Sequence, residues 1–163
     1  MNKVFFISDT HFGHKNIIVF EAIKKYRPFQ TITEHDNKLI DNWNSVVNEK
    51  DTVWHLGDFC FGKTNLAIAG KLNGIKKLVK GNHDIYPTKE YLKYFTEVYG
   101  VVEYKRFILS HIPVHPQQFI RYKANIHGHL HDKTLDDPRY INVSCEQINL
   151  TPILFDELIH KVI

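Results

Sequence analysis

Short apolar runs recur along the chain, and most are followed at once by a small polar cluster. Lys3 to Ser8 and Thr52 to Leu56 are continuous apolar runs, the pattern of strands buried on both faces. Ile75 to Lys80 reads as a third strand. Glu34 to Asn48 carries Leu39, Ile40, Trp43, Val46 and Val47 as an apolar stripe at helical spacing, with Thr33 as its N-cap and Asp36 three residues later. Asn65 to Leu72 reads as a helix ended by Asn73-Gly74, and Lys89 to Phe95 as a short one. Strand-like runs follow at Val98–Glu103, Arg106–Ser110, Ala124–His127 and Tyr140–Ser144. Thr151-Pro152 opens a last helix to about Lys161, with proline at the first helical position. Strands and helices alternate in the first half, and strands dominate the second. This predicts an α/β fold, a two-sheet β-sandwich flanked by helices.

The polar clusters repeat one kind of chemistry. Asp9 and His11 lie in Ser8-Asp9-Thr10-His11, Asp58 in Gly57-Asp58, and Asn82 in Gly81-Asn82-His83-Asp84. His111 follows Ser110, and His129 and His131 lie in Gly128-His129-Leu130-His131. In layered α/β folds, sites gather beyond the carboxyl ends of strands, where Asp9, Asp58, Asn82 and His111 all fall. Asp9 and His11 are two apart, as are His129 and His131; on extended chain each pair faces one side. Gly57, Gly81 and Gly128 precede ligands, where close backbone approach favours glycine. Two carboxylates, an amide and four imidazoles suit borderline divalent ions. Two ions bring four positive charges and the carboxylates remove two, so the remainder attracts a phosphate anion. Asp58 is the natural bridge between ions ~3.5–4 Å apart, and hydroxide between them is the expected nucleophile, since coordination lowers the pKa of water to near ~7.

Composition changes this picture little. The 163 residues fit one domain, and no linker or repeat divides residues 1–163 or marks a cap domain. The formal charge of +3 is mild and there is no basic run of five, so nucleic acid is allowed as a substrate but not demanded. Eleven His stand against two Cys. Cys60 and Cys145 suggest no disulfide framework, so a cytoplasmic location is expected. No signal peptide or membrane span is visible, Val4 to Ile7 being too short for either. Cleavage ahead of Asp9 would destroy the first strand.

Taken in order, Asp-x-His, Gly-Asp, Gly-Asn-His-Asp, His and Gly-His-x-His resemble the calcineurin-like metallophosphoesterase superfamily, over Val4 to His131. The resemblance implies a four-layer αββα fold. It implies one metal held by Asp9, His11, Asp58 and His131, and another by Asp58, Asn82, His111 and His129. His83 resembles the family's catalytic histidine, which contacts the phosphoryl group and protonates the leaving oxygen. Many phosphatases of the superfamily carry a carboxylate three residues after the Gly-Asp aspartate; here Phe61 stands there. Ser8 to Asn16, Arg27-Pro28-Phe29 and Trp54 to Phe59 also resemble a subgroup of small bacterial and phage phosphoesterases.

These readings point to a metal-dependent phosphoesterase acting on phosphate esters, phosphodiesters ahead of monoesters, with nucleotides and nucleic acid among the candidates. A nuclease is the rival and would need Lys76, Lys77, Lys80, Arg106, Arg121 and Lys123 to form a basic track. Mn²⁺ is the favoured ion, with Fe, Zn, Ni or Co as alternatives. For His14, Lys15 and Asn16 two readings stand side by side: phosphate binding near the metals, or a solvated helix start. Arg27, Arg106 and Arg121 read as surface or packing charges before substrate selectors. His55 reads as structural, His127 as structural or supporting the ligands, and Cys60 as core. Tyr26, Phe29, Phe59 and Phe61 read first as core and second as pocket lining.

Overall fold

A computed structural model describes residues 2–160. The first sheet contains β1 (Val4–Ile7), β2 (Thr52–His55), β3 (Ile75–Val79), β4 (Glu97–Tyr99) and β9 (Ile153–Leu154), in the order β4-β3-β2-β1-β9. Its first four strands run parallel, and β9 is antiparallel to β1. The second sheet orders β5 (Val101–Tyr104), β6 (Phe107–Ser110), β7 (Ala124–His127) and β8 (Tyr140–Asn142). There β5 and β6 form an antiparallel hairpin, while β6, β7 and β8 are parallel.

Side-chain alternation divides the apolar runs between two cores. Phe5 and Ile7 of β1, Val53 of β2 and Leu78 of β3 pack with Leu39 and Trp43 of helix α1 (Ile32–Val46). Phe6, Trp54 and Val79 point the other way, onto Phe107, Leu109, Ala124 and Ile126 of the second sheet. Both faces of β1 and β2 and of the end of β3 are therefore covered, which is why these stretches lack a polar alternation. Helices α2 (Thr88–Tyr91) and α3 (Phe155–Ile159) and 3₁₀ stretches at Lys15–Ile18, Lys63–Lys71 and Pro116–Ile120 complete the described residues. Among these, no helix is long and apolar enough to cross a membrane.

Four element assignments differ from the sequence pattern. The cap of α1 is Thr31, not Thr33: the Thr31 hydroxyl accepts from Glu34 N–H at 3.2 Å, and the Glu34 carboxylate accepts from the Thr31 N–H. Asp36 instead accepts from Gly13 N–H at 3.0 Å. The run Val98–Glu103 is two strands, because the chain leaves one sheet at Tyr99 and joins the other at Val101; an apolar pattern does not name its sheet partner. The stretch around 65–72 winds as 3₁₀ turns from Lys63. Pro152 leads into β9 against β1, and α3 starts only at Phe155. The expected helix end at Lys161 lies outside the described residues.

Replacing Thr31 with Ala removes half of the reciprocal cap and should cost about 1 kcal/mol, whereas Thr33→Ala, at an exposed position, should stay within about 0.5 kcal/mol. Urea titration reads both as a shift of midpoint at unchanged slope.

Candidate metal centre

The loops that leave β1, β2, β3, β6 and β7 converge beyond the carboxyl ends of these strands, and they carry all seven expected donors. Alternation along an extended chain does not aim them. Asp9, His11, Asp58, His129 and His131 all have left-handed backbones, with φ of 58°, 50°, 55°, 69° and 51°. L-residues other than Asn, Asp and Gly seldom occupy this region, and such outliers cluster at functional sites. His127, which precedes these turns, belongs to β7 and keeps the strand geometry. The loops also approach closely. A Cβ on Gly128 would lie 2.0 Å from Ser8 Oγ and 2.3 Å from Asp9 Oδ2, and one on Gly81 would lie 2.2 Å from Asp58 Oδ1.

The donors form two overlapping groups. Asp9 Oδ1 lies 3.7 Å from both His11 Nε2 and His131 Nε2. Asp58 Oδ2 lies 3.3 Å from His111 Nε2 and 3.7 Å from His11 Nε2. Asn82 Oδ1 stands 3.0 Å from both His111 Nε2 and His129 Nδ1. Atoms each about 2.1 Å from one ion stand about 3.0–3.5 Å apart, so these spacings fit ligand shells. The separations of 3.7 Å are too long for hydrogen bonds. Asp9 Oδ1 and His11 Nε2 are buried with no hydrogen-bond partner, although almost every such atom in a protein has one. Divalent cations fit this donor set: two nearby triads, Asp9-His11-His131 and Asp9-Asp58-His111, converge around the orphaned atoms of Asp9 and His11.

Buried supports fix each ring. Glu146 Oε1 accepts from His131 Nδ1 at 3.1 Å and from Arg27 Nε at 2.7 Å, leaving His131 Nε2 for the centre. Arg27 is fully buried and donates to Asp9 O at 2.6 Å and Thr10 O at 3.2 Å. It clamps the Asp9–His11 loop from behind rather than facing substrate. His111 Nδ1 donates to Leu56 O at 2.8 Å. His11 Nδ1 meets His14 Nδ1 at 3.2 Å, so His14 orients a donor ring. His55 bonds Thr10 Oγ1 at 2.9 Å inside the core, and His127 Nδ1 donates to Gly128 O at 2.8 Å, which places both in structural roles. Asp84 turns away from the His83 ring and accepts from the N–H groups of Asp58, Phe59 and Gly81 at 2.7, 3.1 and 2.7 Å. Glu146 is the participant that motif spacing misses. Its one sequence signal is position, two residues beyond the strand-like run Tyr140–Ser144.

Charge is concentrated here. Burial would raise the Asp9 carboxyl, yet the nearby imidazoles of His11, His111 and His131 hold it far below the carboxylate range. Burial would lower His111, but the Asp58 and Asp9 carboxylates push it up to about 9. Burial, followed by the neighbouring His11 and His83, brings His14 down to about 4. Burial opposes ionisation of Glu146 too, but His131 and Arg27 hold it at about 2.

Substrate-facing groups stand around this core. The His83 ring is half exposed, with Nε2 at 4.0 Å from Asp58 Oδ2. Its neighbour is Phe61, at 5.0 Å between ring centroids, where many phosphatases of the family would place a carboxylate. His14 stacks on Phe61 at 3.7 Å and lines a cleft with it. Lys15 and Asn16 are exposed outside that lining. Phe59 is core, whereas Tyr26 and Phe29 line a separate depression. Cys60 and Cys145 are free buried thiols. The basic residues make no track toward the donors. Lys76 binds Leu72 O and Gly74 O, Lys77 pairs with Glu97, and Lys80 binds Tyr86 O. Arg106, Arg121 and Lys123 gather at the starts of β6 and β7, about 10 Å of strand away from the donor ends.

Comparison with known proteins agrees with this geometry. Residues 2–144 match the calcineurin-like phosphoesterase superfamily domain. An uncharacterized protein of Methanocaldococcus jannaschii is 39% identical over 178 aligned positions, covering 100% of this chain and 92% of its own. The Gene 66 protein of Mycobacterium phage D29 is 28% identical, covering 90% of this chain and 89% of its own. The crystal structure of a protein of unknown function from Aquifex aeolicus, AQ665, superposes with a TM-score of 0.79 at 31% identity, and each chain is covered in full. The fold, the converging Asp and His donors and these relatives together make this chain a member of the calcineurin-like phosphoesterase superfamily.

Proposed function

We propose that the protein is a hydrolase of phosphate esters, preferring phosphodiesters, that works with two divalent ions, Mn²⁺ first. Asp9, His11, Asp58 and His131 would hold one ion, and Asp58, Asn82, His111 and His129 the other. The observation that carries this reading is the placement of Asp58 Oδ2 within 3.7 Å of His11 Nε2 and 3.3 Å of His111 Nε2, one oxygen serving both groups. The absence of thiolate from the donor set favours Mn, Fe, Zn, Ni or Co over softer ions. When bound, the ions supply a polarised phosphoryl group and a water acidic enough to attack at neutral pH.

The residues do the rest. Asp58 Oδ1 accepts from His83 N–H at 2.9 Å, which ties the proposed acid to the proposed bridge. His83 presents its half-exposed ring to the substrate side and protonates the leaving oxygen. No carboxylate orients that ring, so its contribution belongs at the lower end for a positioned acid. Two clefts flank the donors, one lined by His83 and His131 and the other by Asn82 and His111. A diester has two arms to place, and this favours diesters over monoesters.

Three results should follow. Elemental analysis and calorimetry should find two ions per chain; Asp58→Asn should weaken both, whereas His131→Ala should weaken one. A fixed stoichiometry of one would overturn the shared-ligand arrangement. Metal affinity should rise with pH up to about 9, because His111 is protonated below that value in the metal-free protein and must release its proton to bind. Calorimetry in two buffers of different ionisation enthalpy reads this proton release. Finally, His83→Ala should keep both ions while kcat on a diester of a poor leaving group falls roughly 10²-fold. The loss should shrink on nitrophenyl esters, whose leaving oxygen needs little protonation. An equal loss on both would restrict His83 to holding phosphoryl oxygens.

A further inference from the structure

The larger of the two flanking clefts is chemically lopsided. Its volume is about 560 Å³, within the ~300–1,000 Å³ of small-molecule sites. One end is the donor cluster, with His11, His131 and the proposed acid His83. Away from them its walls are mostly apolar, with Ile17, Phe20 and Ile23 on the segment after the first donors and Leu130 on the turn between the last two, and Asp132 and Lys133 add a charged edge. Ile17 and Ile23 are buried, while Phe20 is 47% exposed at the rim, its ring 5.9 Å from His14 and edge-on to it. His14 in turn lies flat on Phe61. The cleft on the Asn82 side, about 330 Å³, has no Phe, Tyr or Trp in its lining. An apolar slot that opens directly onto a cluster of cation ligands needs an occupant with one anionic end and one flat, weakly polar end.

We infer that this cleft holds the leaving alcohol of the phosphodiester, and that this alcohol carries a flat, largely apolar ring of aryl or nucleobase size. The assignment rests on the phosphodiesterase reading above. The orientation follows from His83: the acid lines this cleft, so the ester oxygen that needs its proton must enter here, and the retained arm lies toward Asn82 and His111. Water adds its oxygen to phosphorus, and the bond from phosphorus to the ring-bearing alcohol breaks with its electron pair on that oxygen. The oxygen takes a proton from His83. The phosphate monoester of the other arm remains, and the proton of the attacking water replaces the one that His83 gave. Slotted rings of this kind gain by dispersion and offset stacking against Phe20 and His14.

The test is one unsymmetrical substrate, methyl 2-phenylethyl phosphate, given to the Mn²⁺-loaded protein beside ethyl methyl phosphate. The expected products are 2-phenylethanol and methyl phosphate, with kcat/KM at least ten-fold above the ethyl ester, since one methylene in an apolar pocket is worth ~10–200-fold. Phe20→Ala, at a half-exposed position, should cut that ratio at least three-fold, mainly through KM, and Ile23→Ala should act in the same direction. Methanol and 2-phenylethyl phosphate as products would overturn the orientation. A ratio near one would overturn the ring site while leaving the phosphoesterase reading intact. Calorimetry with 2-phenylethylphosphonate and ethylphosphonate separates the two ideas from the other side. Tighter binding of the aryl phosphonate, reduced in Phe20→Ala, without hydrolysis of either ester would keep the cleft and reject the enzyme. Replacing the phenyl group by uridine or adenosine at the same leaving position tells a nucleobase from a plain aryl group, and rejection of all three rings would sink the inference.

Discussion

The arrangement depends on how the two oxygens of a single buried carboxylate are used. Asp9 Oδ2 accepts from His129 N–H and from Ser144 Oγ, each at 2.9 Å, and so ties the loop after β1 to the loops after β7 and β8. Asp9 Oδ1 has no partner at all. One oxygen holds the two sheets in register at their carboxyl ends, and the other waits for a cation. An unsatisfied buried acceptor costs about 1–3 kcal/mol, and more when charged. Each left-handed residue costs about 1–3 kcal/mol as well, and both Asp9 and four other residues of the site are left-handed. The fold tolerates that strain because two continuous cores lie beneath it and Arg27 grips the carbonyls of Asp9 and Thr10.

Much of this was legible in the chain. Apolar runs marked every strand but the short β9, and the polar clusters behind them marked the seven side chains that the fold brings together. That worked because each ligand loop is short and follows its strand at once, so position in sequence stands for position in space. What stayed hidden is what spacing cannot express. The turns that aim Asp9, His11, His129 and His131 depend on backbone dihedrals, not on alternation. Glu146 reaches His131 across fifteen residues and Arg27 across 119, contacts that only the closed fold creates. Thr31 and Thr33 are both good caps in isolation, and the competition was decided by Glu34 being three residues from the first. Arg27 read as an ordinary charge because nothing in its neighbourhood announces complete burial.

The position of Phe61 changes the character of the site. At the position where many phosphatases of the superfamily carry an acid, a ring packs against His83, the proposed acid, on one side and carries His14 on the other. His14 binds His11 in turn. This edge of the site is therefore organised by stacking more than by ion pairs.

The crossing at Gly100 divides the donors by sheet. Asp9, His11, Asp58 and Asn82 hang from the first, and His111, His129 and His131 from the second. The first hundred residues carry three of the four ligands proposed for one ion and two of the four proposed for the other. On the ligand sets proposed above, a complete shell for either ion therefore forms only once both sheets are joined.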